Sequence, residues 1–477
     1  MKIFRNIAIF LALATALNAA DIRSLYDVRD HGAKGDGATL DTAAIQKTID
    51  TCTAEGGGTV WFPAGTYLVG TVHIKDNVTL HLTAGATILG SPNVEDYTEV
   101  EKLYRQGLIS GTKGKATYPQ RHLIYARDAK NVAIEGAGAI DGNGDSYFSE
   151  DMKSVKLRPT PMLEFLNSTG VRLENITIRN APCWTVHVKN CEDVKIRGCS
   201  IVNNLRVINS DGIGIDSSRK VMISDCRIES GDDCIVLKTT KMGDRTPPVE
   251  HVTVTNCVMI SSASALKLGT ESHGDFRHVY MSNCTITDSR TGIALFVKDG
   301  GTMQNIRFSN ISITTKRKWD KGNEWPIIMD INRRQKSSRL GAIRDVLFSD
   351  ITIYTRGRSI ITGHPNSPIE NLVFRNIFLS MVGDEDLTKA KKISGGASGV
   401  EVEVDYGKIP ASLILANAKD PVVDGYNVRW GKGKFQQPRH VIYGDRLENA
   451  RISGIFNPAS SPSLDAVILE RSKPAAK

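Results

Sequence analysis

Two short phrases in this 477-residue chain hold the residue types from which a hydrolytic site is built: Asn209-Ser210-Asp211-Gly212 and Ser230-Gly231-Asp232-Asp233-Cys234. A single Asp-Gly is ordinarily a turn, because Asp accepts tight backbone geometry and bonds its own main chain. Here Asp211 and Asp232 are 21 residues apart, and a turn alone does not account for that recurrence. Carboxyl groups brought close repel one another, which keeps a proton on one while its neighbour stays ionised. Cleavage of a glycosidic bond with inversion needs that division: an acid at the leaving oxygen and a carboxylate holding water opposite it.

Such a cluster requires elements that repeat about every 21 residues or slightly more, and the chain contains them. The stretches ENITI, RGCSI, SDCRI, TNCVM, SNCTI, SNISI, SDITI and RNIFL align on Ile176, Cys199, Cys226, Cys257, Cys284, Ile311, Ile351 and Ile377, at spacings of 23, 27, 31, 27, 27, 40 and 26. Each follows a short alternating strand rich in Val, Ile and Thr, and a second strand such as CIVLK or IALFVK comes next. Period-two strands with Asn, Asp, Ser and Gly at the corners, at a fixed repeat, predict an all-β solenoid, a right-handed parallel β-helix. Helical repeats are excluded by that periodicity and by the β-branched composition. The segment Asp41 to Cys52 has helical spacing (Ala44, Ile45, Ile49) and is expected to cap the open first coil. The 40-residue gap carries KRKWDKGNEW, a protruding loop. From about Gly383 the pattern fades, and irregular final coils are expected in a single domain over 21–477.

At the start, Lys2 and Arg5 precede an apolar run from Ile7 to Leu17, followed by Asn18, Ala19 and Ala20. That order predicts a secretory signal peptide over 1–20 and export to the periplasm or beyond. The run is too short to span a bilayer, which takes about 20 residues. Formal charge is +8, or +6 without Lys2 and Arg5, which suits an acidic partner. Basic residues are scattered, and export argues against a nucleic-acid partner. Cys199, Cys226, Cys257 and Cys284 recur at one point of the repeat, which favours a buried stack over disulfides. No paired CxxC is present, so no zinc site is expected.

The stretch GAKGDG, then DTAAIQ, then GGGTVWFPAGTYLVG, together with the two carboxylate phrases, resembles glycoside hydrolase family 28, the polygalacturonase family, to about residue 380. The resemblance implies a metal-free, cofactor-free inverting hydrolase in which Asp232 is the general acid while Asp211 and Asp233 hold the attacking water. Two family motifs depart. Where the family has Gly-His-Gly the chain reads Ala263-Ser264-Ala265, and for Arg-Ile-Lys it reads Phe296-Val297-Lys298. These departures point away from ordinary endo action, toward rhamnogalacturonan, a branched pectin segment or exo action.

Strand parity suggests a compensation. With Ile235, Leu237, Leu266, Leu268, Leu295 and Val297 inward, Val236, Lys238, Lys267, Phe296 and Lys298 share an outer sheet. A groove is therefore expected in which Lys238, Lys267 and Lys298 face an acidic sugar and Phe296 offers an apolar face. Exposed lysines on solvated strands are the plainer reading. Glu271 and His273 are expected to reach the cleft from a coil end, Trp319 and Trp325 to stack on sugar, and Trp61 and Trp184 to serve the core or cap. The expected partner is an acidic plant cell-wall polysaccharide, with no membrane span after leader removal and a monomeric protein. Two other classes stay open: a calcium-dependent lyase on the same fold, and a non-catalytic carbohydrate-binding β-helix.

Overall fold

The computed structural model describes residues 25–104, 117–151, 157–317, 323–383, 405–431 and 437–475. The signal peptide over 1–20 and Trp319 lie outside the described residues. Among the described residues no helix is long and apolar enough to cross a membrane.

The chain winds as a parallel β-helix. Each coil contributes strands to three stacked sheets, and every strand in them pairs in parallel with its equivalents one coil away. One sheet carries the site. Its consecutive strands are β1 (Leu163–Leu166), β2 (Val186–Lys189), β3 (Ile213–Asp216), β4 (Ile235–Thr239), β5 (Ser264–Ser272), β6 (Thr291–Val297) and β7 (Trp325–Ile331). Inward residues form unbroken columns: Val186, Ile213, Ile235, Leu266, Ile293 and Ile327 are in register and fully buried or nearly so. Since β-strands alternate sides, this column fixes which residues project outward.

The recurring phrase has a local cause. The residue before each aligned Ile or Cys turns the corner between the other two sheets with positive φ: Asn175, Gly198, Asp225, Asn256, Asn283, Asn310, Asp350 and Asn376. Gly, Asn and Asp tolerate this left-handed conformation better than other residues. The side chains form a ladder, as where Asn310 donates to Asn283 at 2.8 Å and Asn376 to Asp350 at 2.7 Å. All eight cysteines are free, buried thiols, so the column is a stack, as the repeat implied.

The helix α1 (Thr42–Ala54) buries Ile45, Ile49 and Cys52 against the first coils. Its Gln46 side chain accepts from the His73 backbone N–H at 2.8 Å and donates to the His73 carbonyl at 3.1 Å, pairing main chain that would otherwise lack a neighbour. At the other end the structure departs from expectation. The strands Ala411–Lys419, Val422–Trp430, His440–Ser453 and Val467–Glu470 continue the parallel stack in register, although their sequence lacks the clear corner phrase.

Candidate active site

Register assembles the site. Ile213 of β3 pairs with Ile235 of β4, and Ile235 with Leu266 of β5. Two residues before these stand Asp211, Asp233 and Ser264, so they occupy one position on three successive coils. The Gly212 N–H donates to the Asp233 carbonyl at 2.8 Å and locks the first two together. One carboxylate oxygen from each of Asp211, Asp232 and Asp233 lies within 4.8 Å of the others.

The turns are built for this approach. A Cβ on Gly231 would stand 2.1 Å from the Val207 carbonyl oxygen, so only glycine lets the two turns nest. The Gly231 N–H donates to Ser210 Oγ at 3.0 Å, the Asp232 N–H to Ser230 Oγ at 3.1 Å, and Ser261 Oγ to the Asp232 carbonyl at 2.6 Å. The serines of both phrases thus serve the backbone and leave the aspartates to the cleft.

Asp211 and Asp233 are buried, while Asp232 is partly open. Burial, then the charges of Asp232 and Asp233, push the Asp211 carboxyl up to about 8 despite Lys238 at 3.6 Å. Burial and then Asp233 raise Asp232 as well. Asp233 has fixed donors on both oxygens: Lys267 Nζ at 2.6 Å and the Ser264 N–H at 3.1 Å. Three carboxylates at this spacing suit a cation in principle, but the ammonium groups of Lys267 and Lys238 already stand against two of them.

Lys238 and Lys267 therefore do reach the cluster. Asp233, Asp232 and Asp211 hold the Lys267 ammonium above its ordinary range, although burial opposes its charge. Glu271, more than a third exposed at the rim, lies 3.9 Å from Lys238 and 3.8 Å from Arg334, and these cations overcome burial and hold it down at about 2. His273 is half-buried beside Thr239, and burial lowers it.

Two expected groove residues are elsewhere. Lys298 is fully buried and ion-paired with Asp330, and Phe296 is packed with Ala294, Ile328 and Ile414 in a second apolar layer. Parity placed both correctly on the outer side, but neither offers an open groove face: Lys298 turns to Asp330, and Phe296 lies buried beside the outward apolar column that runs from Ala294 through Ile328 and Ile360 to Ile414 along the same sheet. Trp325 packs half-buried against the same layer.

Sequence reading missed three features. Trp184, expected in the core or cap, is half-buried two residues before Val186, hence in register with Asp211, and Lys238 Nζ sits 4.2 Å from its ring centroid. Counting back from β2 as from β3 would have found it. Glu164 and His187, in register on β1 and β2, form a buried pair at 2.9 Å. Arg334 grips Asp299 through two 2.8 Å hydrogen bonds beside Glu271, and no local motif marks it.

Comparisons with known proteins give the family. The model for glycosyl hydrolases family 28 matches residues 52–399. A "Probable polygalacturonase" of Vitis vinifera is 31% identical over 257 residues, covering 51% of each chain. The exo-poly-alpha-D-galacturonosidase of Dickeya chrysanthemi is 26% identical over 254 residues, 45% of this chain and 42% of that one. The chain thus spans about half the length of these curated relatives. Among solved structures, an exopolygalacturonase of Thermotoga maritima superposes with a TM-score of 0.62 at 22% identity, over 90% of this chain and 92% of that one, a likeness that bears on fold alone. With most of its length matched to one family model, the chain belongs to glycosyl hydrolases family 28.

Proposed function

We propose that this protein hydrolyses galacturonate-containing pectic chains, removing units from a chain end with inversion. The carrying observation is the cluster itself: three carboxylates within 4.8 Å, one partly open and two buried behind it. Asp232 is raised and is the cluster member with an open side, which supports its role as the acid that protonates the glycosidic oxygen as that bond breaks. Asp233 accepts the proton of a water that attacks the anomeric carbon from the opposite face, and Asp211 holds that water. The leaving chain departs as an alcohol, and the two carboxyls end with their roles exchanged.

Stereochemistry pulls two ways. Inverting enzymes usually separate their carboxylates by about 6.5–9.5 Å and retaining ones by about 5–5.5 Å, and the closest oxygens here fall below both ranges. Inversion is favoured because Asp233 has both oxygens engaged by fixed donors, which suits a water holder better than a nucleophile. NMR of the first product from an α-linked substrate decides this. The β anomer is expected, and initial release of the α anomer would exclude inversion.

End action is supported by cover on the site sheet. Outward residues before the cluster (Glu164, His187) and after it (Ala294, Phe296, Ile328) are buried, whereas outward Met222 and Tyr280 on the adjoining sheet are 48% and 37% exposed. A pocket stopped along the helix axis admits a terminus more readily than a mid-chain segment. Several relatives are named as exo-acting. Export by a leader over 1–20 fits a polymeric substrate of this kind. Incubation with polygalacturonate and its oligomers, with product sizing, tests the reading. Monomer or a single short product should dominate from the first minutes, and a ladder of intermediate sizes would refute end action.

A further inference from the structure

The family histidine is absent, Ser264 stands in its place, and yet Asp233 is not left without a partner. Lys267, three residues along β5, projects outward and reaches across one coil to Asp233 Oδ2 at 2.6 Å. Serine at 264 contributes its backbone N–H to Oδ1 at 3.1 Å. Both partners are donors. Each of these bonds is stronger to a carboxylate acceptor, and the Lys267 ammonium is itself a charged donor. Each oxygen keeps one free acceptor direction, enough to take a hydrogen from water and turn a water lone pair toward the sugar.

We infer that Lys267 is a positioning residue that fixes Asp233 as the water-orienting carboxylate, rather than a group that grips substrate. The inference rests on the hydrolase reading above for its catalytic consequence, though not for the contact itself. The other charges facing Asp233 are Asp211 on the preceding coil, Asp232 beside it and Lys238 farther along β4, while Glu271 on β5 faces Lys238, Arg334 and Lys267. Of the two lysines only Lys267 lies within hydrogen-bonding distance of Asp233, since Lys238 is drawn to Asp211 and Glu271. Lys267 also pulls on Asp232 and Asp211, so its removal makes those two carboxyls harder to ionise.

The test is Lys267→Met beside Lys267→Arg, followed by steady-state kinetics across pH on oligogalacturonides. Lys267→Met should lower kcat by roughly 10²-fold and move the acid limb upward by about one pH unit or more, with KM little changed. Lys267→Arg should restore most of the limb position. A raised KM with the wild-type limb in Lys267→Met would overturn the inference in favour of a substrate grip, and an unmoved profile with unmoved constants would overturn it outright. A second measurement is independent of turnover: carboxyl titration of ¹³C-labelled protein, with Asp233→Asn identifying the Asp233 signal. Lys267→Met should shift that titration toward neutral pH. An unshifted signal sinks the inference even if the hydrolase reading holds, while a shifted signal in a protein inert on every pectic substrate retains the contact and overturns the catalytic role.

Discussion

Asp211 illustrates how one side chain links chemistry to stability. Burial first and like charges second push its carboxyl from the ordinary value near 3.8 up to about 8. A raised carboxyl binds a proton more tightly when folded than when unfolded, so its contribution is favourable at low pH and is lost between about pH 4 and pH 8. Asp211→Asn should therefore raise Tm at pH 8 by roughly 1–3 °C, have little effect at pH 4, and still lose activity. Thermal melts at the two pH values check the sign. The raised carboxyl of Asp232 bears on rate. The alkaline limb of kcat/KM should lie well above the usual carboxyl range near 4, and Asp232→Asn should cost about 10³-fold in kcat with KM nearly intact.

At the scale of elements, two strand pairings decide what the site contains. The turns before β3 and β4 nest only because Gly231 lacks a Cβ, and Gly231→Ala should cost about 2 kcal/mol or more together with most activity, read from denaturation midpoints and turnover. On β6, Lys298→Ala should destabilise by about 3–5 kcal/mol, because it strands Asp330 in the interior, and KM should stay constant in whatever remains folded. These two cases also mark what the sequence discloses. The Asp phrases, the corner residues and α1 were legible because each depends on neighbours within one coil. Parity gave the direction of Phe296 and Lys298. What surrounds them comes from the next coil, where Ile328 and Asp330 stand, and no local pattern announces those neighbours. Lys267 was found for its direction but not for its bond to Asp233, since two-residue alternation fixes a face and not a contact.

Across the whole molecule, the stack sets a hierarchy of persistence. Each coil is held chiefly by the coil before and the coil after it, so loosening travels inward from the ends. The ends are unequal. One is sealed by α1, whereas the other exposes Phe456 and Leu469 beside an apolar hollow of about 490 Å³ lined by Ile452, Ile455 and Val467. Hydrogen exchange should advance from the carboxyl-terminal rungs first and reach β3 and β4 last. Catalysis should then outlast the early part of the thermal transition, with circular dichroism falling before turnover does, as in a rope that unravels from one end while its middle still bears weight.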